Sequence, residues 1–362
     1  MSLYVLAEKE YIASSWCRNI LKGLSIEKKR KKIKLISINS ADELTAESEK
    51  NKSSVILIGT KAGWINENVN KVLDLNLHPI LISNTELILD FSSCSIVSSD
   101  IFGALNEAVL LSKEKGNGSV ALYGVNPDSV ADNMRKNVFL ALGGKKNDIY
   151  YNNGILENCF LNFSKSLKKY GAIICVNDFS AISLINRLKR NNMYNEKTFI
   201  ISLNSSQLGK YFSPKIVSFS INYKKFGAAA LLIHEELTKN EYITSLNALI
   251  KYDLNCNSLS AKPQRQIANS KFFFSQTDEE VNIYADDEMI ELMAIESFLL
   301  NTDESDMLIL KMLNNKYSYR KIEEVTYLSN STIKYRIKNI CKIFNVEHIS
   351  VVLDILKQYI KL

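Results

Sequence analysis

Basic and hydroxyl side chains recur along one face of a segment near the end of the sequence. Between residues 326 and 346 there are four Lys or Arg residues and no Asp or Glu. Ammonium and hydroxyl groups donate hydrogen bonds to phosphate oxygens and to base edges, so the pattern is typical of a helix that enters a groove of double-stranded DNA. A solvated basic helix is the alternative that such a run leaves open. The candidate DNA-binding residues are Ser331, Thr332, Lys334, Tyr335, Arg336, Lys338 and Lys342.

The spacing of apolar residues predicts the helix that carries these side chains. The short polar side chains of residues 329–332 can accept hydrogen bonds from the first helical turn, so we expect the helix to begin near Ser331. From there, apolar residues recur at i, i+4, i+7 and i+11 and share one face: Ile333, Ile337, Ile340 and Phe344. The segment is therefore predicted to pack on a small core with its basic face outward.

Three further short helices are predicted around this one. Their apolar positions are residues 308–313, residues 322 and 325, and residues 349–360. Four short helices within about sixty residues form a complete helix-turn-helix domain. In the last helix the residues Ile349, Val352, Leu356 and Ile360 form an apolar stripe. We expect this stripe to be buried in a homodimer, because two-fold related half-sites enlarge a DNA interface.

Residues 302–362 resemble the DNA-binding domain of the LuxR/GerE type. The residues that carry the resemblance are Ile322, Ser329, Thr332-Ile333-Lys334, Asn339-Ile340 and Ile343-Phe344-Asn345-Val346. The chain departs from the family pattern at Lys316 and Asn345, which stand where the family has Gly, and at Glu323, which replaces a small residue. Asn at 345 can still adopt the left-handed backbone that a Gly would supply.

Composition excludes several classes of protein. The chain has 362 residues, 46% of them apolar, with 45 basic and 39 acidic residues and a net charge of +6. No run approaches the length of a membrane span and the first residues lack a leader pattern, so we expect a cytoplasmic protein without a membrane partner. The six Cys are far apart and there are only three His, so we expect no metal, no cofactor and no disulfide framework. The sequence also lacks glycine-rich phosphate loops and a recognisable nucleophile–base pair, so no enzyme activity is expected.

The first 250 residues alternate β-branched runs with amphipathic segments. Near-continuous apolar strands separated by helices are typical of parallel sheets that are covered on both faces. The number of strands is too large for one ordinary sheet, so the predicted fold is an α/β two-lobed sensor with doubly wound parallel sheets, followed by a small all-α helix-turn-helix domain. The predicted strands are 3–7, 34–38, 55–58, 79–82, 95–98, 120–123, 148–151, 172–176, 198–202 and 216–221, with helices at 14–29, 102–115, 129–142, 158–169, 181–190 and 226–239.

Residues 3–258 are similar to the effector-binding domain of LacI/GalR-type regulators, which itself resembles type I periplasmic binding proteins. The residues that carry this resemblance are Val97-Ser98-Ser99-Asp100 with Gly103, the run 120–124, Arg135 with Phe139 and Ala141-Leu142, the run 174–178, His78-Pro79, and Phe226-Gly227. Val138 replaces a family Gly, and Asn204 stands where many members have a ligand-binding Asp.

The resemblance implies a ligand cleft between two lobes, lined by Tyr11, Phe102, Arg135, Asn177 and Asn204. A guanidinium and amides supply the donors and acceptors that polyhydroxylated, sugar-like ligands or carboxylates require. Alternatives stay open for each of these roles. Arg135 is also suited to an ion pair with Asp132 or Asp128, Asn177 to capping the next helix, and Phe102 to the core.

Residues 259–300 are predicted to connect two domains, residues 1–258 and 301–362. Within the connection, residues 272–274 and 281–284 are candidates for a small hairpin, and residues 289–298 for an amphipathic helix that needs a partner. The order of domains is the reverse of that in LacI/GalR repressors. We therefore expect a cytoplasmic transcriptional regulator with a small-molecule effector, with a non-DNA-binding interaction protein as the alternative.

Overall fold

The computed structural model describes residues 2–12, 14–44, 54–83, 94–116, 119–212, 215–255 and 283–362. The chain divides into two compact units, which are Met1–Ala104 with Ser220–Asp253, and Leu105–Phe219 with Leu254–Leu362. We call them the first and the second unit. Over the described part of the chain, no helix is long and apolar enough to cross a membrane.

The first unit is built on a six-stranded sheet in the order β11-β5-β4-β3-β1-β2. The strand pairs are parallel, with Val5 opposite Ile56 and Ile56 opposite Ile80. All five residues of the central β3 are buried, as expected for a strand covered on both faces. The strands are β1 Ser2–Ala7, β2 Lys34–Ile38, β3 Ser54–Ile58, β4 His78–Ile82, β5 Ser95–Ser99 and β11 Asn247–Ile250.

Three helices cover this sheet: α1 Ser15–Lys31, α2 Ala62–Asp74 and α8 Lys224–Lys239. Helices α1 and α8 approach closely because each has a Gly at the crossing. A Cβ on Gly23 would collide with the Lys224 carbonyl, and a Cβ on Gly227 would collide with the backbone of Ile20 and Leu24. Helix α1 ends at Lys32, whose left-handed backbone has a φ of 55°.

The second unit contains a sheet in the order β12-β10-β9-β8-β6-β7. Its pairs β9–β10, β8–β9, β6–β8 and β6–β7 are parallel. The strands are β6 Ser119–Val125, β7 Ile149–Tyr151, β8 Tyr170–Cys175, β9 Phe199–Ser202, β10 Val217–Ser220 and β12 Asp253–Asn255. The accompanying helices are α3 Ile101–Lys115, which begins in the first unit, α4 Val130–Ala141, α5 Leu156–Ser164, α6 Asp178–Arg190 and α7 Gln207–Lys210.

Five further helices follow and belong to the second unit. They are α9 Asp287–Asn301, α10 Glu304–Asn314, α11 Tyr319–Thr326, α12 Asn330–Ile343 and α13 Ile349–Lys357. Their buried side chains join those of the neighbouring lobe in one hydrophobic cluster, which we call the shared core. It includes Phe163, Ile185, Leu208 and Phe212 from the lobe, and Met289, Leu292, Ile295, Phe298, Ile309, Ile333 and Leu356 from the helices.

The predicted fold class is confirmed: the protein has two α/β lobes with parallel sheets and a C-terminal helical region. All ten predicted strands are present, and their ends agree with the prediction to within two residues. Strands β11 and β12 were not predicted, because their sequences, Asn-Ala-Leu-Ile and Asp-Leu-Asn, contain a single β-branched residue between them. The predicted helix 158–169 is wrong at its end, since α5 stops at Ser164 and a 3-10 turn follows at Leu167–Lys169.

Two other expectations for the C-terminal part need correction. Most residues of the predicted hairpin, 272–274 and 281–282, lie outside the described residues. Ile283 is described, and it lies in a 3-10 turn, Ile283–Ala285, instead of a strand. Its side chain is buried in the shared core. The apolar stripe of α13 is buried within the chain, with Val352 and Leu356 at 0% exposure. The stripe therefore does not leave a free surface for a second subunit.

Candidate functional site

Helix α12 has the amphipathic structure that its sequence predicts. Ser329 caps it, since its Oγ accepts a hydrogen bond from the Thr332 N–H at 3.3 Å. The apolar face is buried, with Ile333 at 0% and Ile340 at 2% exposure. Phe344 follows the helix and packs its ring against Phe298 of α9, with the centroids 5.8 Å apart. The shared core thus fixes which side of α12 faces outward.

The opposite face of α12 is open to solvent. Its exposed residues include Ser331, Lys334, Tyr335, Lys338 and Lys342, and Tyr335 is 66% exposed. Thr332 is half-buried, and its Oγ1 lies 2.9 Å from the Ser329 Oγ. We call Lys334, Lys338 and Lys342, with Ser331 and Tyr335, the basic face.

Arg336 differs from the other cations of α12. Its Nη1 donates to both carboxylate oxygens of Asp303, at 2.9 and 3.0 Å, and to Asp306 Oδ1 at 2.9 Å. Asp303 and Asp306 form the capping box at the start of α10. The Asp306 N–H and the Arg336 guanidinium hold the pKa of Asp303 below its ordinary value. Arg336 therefore ties α12 to α10, a role that its position in the sequence did not reveal.

Left-handed residues end three consecutive helices of this region. Lys316 follows α10, Tyr327 follows α11 and Asn345 follows α12, with φ of 60°, 56° and 52°. Lys316 and Asn345 are the positions where the resembling family has Gly, and both adopt the backbone that Gly favours. Tyr327 is the unexpected member, because a bulky side chain in this conformation costs about 1–2 kcal/mol.

Asparagine residues follow four neighbouring strands of the second unit. Asn126, Asn152, Asn177 and Asn204 come directly or one residue after β6, β7, β8 and β9. These parallel strands are adjacent in the sheet, so the four Asn residues lie along one edge. Asn152 is buried and uses its whole amide, donating to the Gly124 carbonyl and accepting from the Gly154 N–H, both at 3.0 Å.

Asn177 and Asn204 lie beside each other on this edge. The Asn177 Oδ1 accepts from the Ser180 N–H at 2.9 Å and so caps α6, as one alternative from the sequence proposed. The Nδ2 of Asn177 is the end of the amide that can donate to a ligand. The backbone carbonyl of Asn204 accepts from the Asp178 N–H at 3.2 Å, which joins the two strand ends.

Asp178 also lies on this edge, and the sequence did not indicate its importance there. It is 1% exposed and accepts from the Ser206 N–H at 2.7 Å and from the hydroxyls of Ser206 and Ser218, both at 2.9 Å. A Cβ at Gly209 would collide with its carboxylate. The carboxylate therefore fixes the loop that runs from Asn204 into α7.

Arg135 lies on α4 and is bound to a neighbouring carboxylate. Its Nη1 donates to Asp132 Oδ1 at 2.6 Å, and the two side chains are 13% and 8% exposed. Burial raises the pKa of Asp132, although the Arg135 charge opposes this shift. The other oxygen of Asp132 accepts from the Asn126 N–H at 3.0 Å. The ion pair with Asp132, which was an alternative from the sequence, is thus present, in a largely buried position.

The two remaining candidate ligand residues belong to the first unit. Tyr11 ends a 3-10 turn, Lys9–Tyr11, after β1, and its half-buried ring lies 5.9 Å from that of Trp16. Phe102 is the second residue of α3 and is half-buried. Nearby at the end of β1, Glu8 is 4% exposed and accepts from the Thr60 N–H at 2.9 Å.

Carboxylates of α9 bind the two lobe helices that begin at the asparagine edge. Glu296 accepts from the N–H groups of Gln207 at 2.9 Å and Leu208 at 2.8 Å, in the first turn of α7. Glu288 accepts from Arg187 Nη2 of α6 at 2.6 Å. Burial acts to lower the pKa of Arg187, but the hydrogen bond to Glu288 outweighs this effect, so the pKa lies above its ordinary value. Helix α9 is therefore tied by charge to both α6 and α7.

Among the described residues, no cluster of His, Cys, Asp or Glu could hold a metal ion. Five cysteines are buried as free thiols, and burial raises the pKa of Cys17 to about 11 and that of Cys94 to about 12. Cys256 lies outside the described residues. These five buried thiols are packed as small apolar residues.

Comparisons with known proteins agree with the two-lobed fold. No protein-family model and no curated protein matches the sequence. Among solved structures, the transcriptional regulator CelR in complex with cellobiose has a TM-score of 0.53 at 11% identity, covering 70% of this chain and 83% of that chain. A PurR family regulator from Vibrio parahaemolyticus RIMD 2210633 has a TM-score of 0.53 at 14% identity, covering 70% and 97%.

A LacI family regulator CCPA from Weissella paramesenteroides with bound glucose has a TM-score of 0.51 at 16% identity, covering 70% and 96%. At such identities the likeness establishes the fold alone. The lobes of this chain accordingly have the fold of LacI-type sensor domains.

Proposed function

We propose that this chain is a cytoplasmic transcriptional regulator that binds double-stranded DNA through α12 and senses a small molecule through its lobes. The observation that carries the proposal is the basic face, which is exposed while the opposite side of α12 is fixed in the shared core. Helices α11 and α12, joined by a short turn, would act as a helix-turn-helix of the LuxR/GerE type. The solved structures of similar fold are regulators too, which supports this class of function.

The DNA contact would be made by the exposed cations. Lys334 and Lys338 lie one helical turn apart, so both can reach the same groove and its phosphates. Ser331, Thr332, Tyr335 and Lys342 complete the proposed contact, whereas Arg336 is engaged by Asp303 and Asp306 and would serve to orient α12. We include a homodimer in the proposal because two half-sites enlarge the interface, and its surface has to lie outside the buried stripe of α13.

Substitution of the two lysines tests this function. Lys334→Ala and Lys338→Ala should each weaken binding to genomic DNA fragments and lower the slope of log affinity against log salt by about one, because each removes about one released counterion. Fluorescence anisotropy across a salt series measures both quantities. Lys357→Ala is the matched control, because Lys357 is an exposed lysine on α13 that pairs with Asp354.

Unchanged affinity and slope in both variants would refute the role of α12. If the wild-type chain binds no DNA fragment at all, the exposed aromatic and basic residues of α12 would instead favour the alternative function, an interaction protein whose terminal helices bind another protein.

The effector would bind at the asparagine edge of the second unit. Asn177, Asn204 and Arg135 supply amide and guanidinium donors there. Tyr11 and Phe102, which belong to the first unit, are ligand candidates from the sequence resemblance alone. Such groups suit a polyhydroxylated ligand. The solved structures of similar fold that contain cellobiose or glucose support a sugar-like effector.

The signal would pass from this edge to the DNA-binding helices through α9. Asn177 caps α6, and the loop after Asn204 leads into α7. Both helices are bound by carboxylates of α9, which packs on α12 through the shared core. A ligand that binds differently to two arrangements of α6 and α7 would shift the position of α9 and, with it, the basic face.

A further inference from the structure

Tyr327 occupies a left-handed backbone position that a smaller residue would fill with less strain. It closes α11 with a φ of 56°, and its side chain is 93% exposed. Its backbone N–H donates to the Glu323 carbonyl at 2.9 Å, a bond that any residue could make. Gly or Asn would adopt this backbone more easily, and an exposed ring adds no burial in return. The exposed aromatic ring therefore contributes no packing at this strained position and is open to contact with a partner.

The surroundings of Tyr327 indicate what it binds. It stands in the turn before Ser329, the residue that caps α12, and the basic face begins two residues later at Ser331. From Tyr327 to Val346 the chain carries no acidic residue, so an anion meets no repulsion from this segment. A tyrosine hydroxyl is a neutral donor that commonly binds phosphate oxygens in protein–DNA complexes.

We propose that Tyr327 is a DNA-contacting residue whose hydroxyl donates a hydrogen bond to a backbone phosphate beside the groove occupied by α12. The inference rests on the proposed function and adds a residue outside the basic face. Because the hydroxyl is uncharged, this contact should add affinity without releasing a counterion. The backbone strain is then offset by binding rather than by folding.

Three variants separate binding from folding. Tyr327→Phe keeps the ring and the strain but removes the hydroxyl, so DNA affinity should fall about tenfold with an unchanged salt slope. Tyr327→Gly and Tyr327→Asn should lose at least as much affinity. The same two variants should raise the melting temperature of the DNA-free protein by about 2–4 °C, because they relieve the left-handed strain.

Lys32→Gly is the matched control. Lys32 is another exposed non-Gly residue that closes a helix in the left-handed conformation, but it lies in the first unit. This substitution should leave DNA affinity unchanged. The measurements are differential scanning fluorimetry without DNA and anisotropy with the genomic fragment that the wild type binds best.

The outcomes distinguish this inference from the proposed function. If the wild type and Tyr327→Phe bind DNA equally while Lys334→Ala binds weakly, the function stands and the Tyr327 contact is refuted, which would favour a protein partner at this tyrosine. A Tyr327→Asn protein that is both less stable and weaker in binding would make Tyr327 a structural residue and refute the contact as well. Absence of DNA binding by the wild type would refute the function itself.

Discussion

Arg135 lies on α4 with its guanidinium against the largely buried carboxylate of Asp132. The resemblance implied a ligand role for Arg135, whereas the ion pair with Asp132 indicates a structural role. The two roles differ in what removal of the side chain does. Loss of a charge-assisted bond to a ligand costs about 1.5–3 kcal/mol, which corresponds to a tenfold to hundredfold loss of affinity.

We therefore expect Arg135→Ala to reduce the thermal stabilisation that an effector gives, in a screen that begins with cellobiose, glucose and sucrose. Arg135→Ala should also lower the ligand-free stability, because Asp132 is left without its partner and its pKa, already raised by burial, would rise further. Lys136→Ala is the control on the same helix, since the Lys136 Nζ donates to the Asn133 Oδ1 of α4 at 2.6 Å. If the effector concentration that gives half of the maximal thermal stabilisation is the same in Arg135→Ala and the wild type, Arg135 is a purely structural residue.

At the scale of elements, Glu296 connects α9 to the start of α7. Glu296→Gln keeps the size of the side chain but removes its negative charge. The side-chain NH2 group then faces one of the two backbone N–H groups of α7, so that two donors oppose each other. We expect it to destabilise the protein by about 1–2 kcal/mol and to weaken the dependence of DNA affinity on effector. Hydrogen exchange should show the loss of protection first in α7. Glu347→Gln, which changes an exposed Glu between α12 and α13, is the control.

Equal protection of α7 in Glu296→Gln and wild type would show that the carboxylate does not hold this helix. An unchanged effector response would remove α9 from the signalling path, even if stability falls.

For the molecule as a whole, the shared core joins the lobe and the C-terminal helices of the second unit, and we expect the two to unfold together. Leu292 is 0% exposed in α9 and belongs to this core. Leu292→Ala should cost about 2–5 kcal/mol through lost burial and a cavity. We expect protection against hydrogen exchange to fall in α6 and in α12 together, while β3 of the first unit is unaffected.

Ser297→Ala, at an exposed position of the same helix, should change neither region. A loss of protection confined to α10–α13 in Leu292→Ala would instead show that the helices fold independently of the lobe, as a separate domain of residues 301–362 would.

Features that depend on local periodicity were predictable from the order of the residues. Buried strands such as β3 and the two faces of α12 follow from the alternation and spacing of apolar residues, because burial of those residues dominates their local structure. The start of α12 followed from Ser329 and its neighbours, since capping acts over three residues. The left-handed backbone at Asn345 was likewise predictable from the side chain.

Contacts between residues distant in the chain were not predictable in this way and became visible in the folded protein. Arg336 and Lys334 are alike in the sequence, and what separates them is the placement of Asp303 and Asp306 about thirty residues earlier. The stripe of α13 and the helix α9 both needed an apolar partner, and the periodicity could not show that the partner is the chain's own lobe. Such pairings depend on packing over long sequence separations, for which local patterns carry no signal.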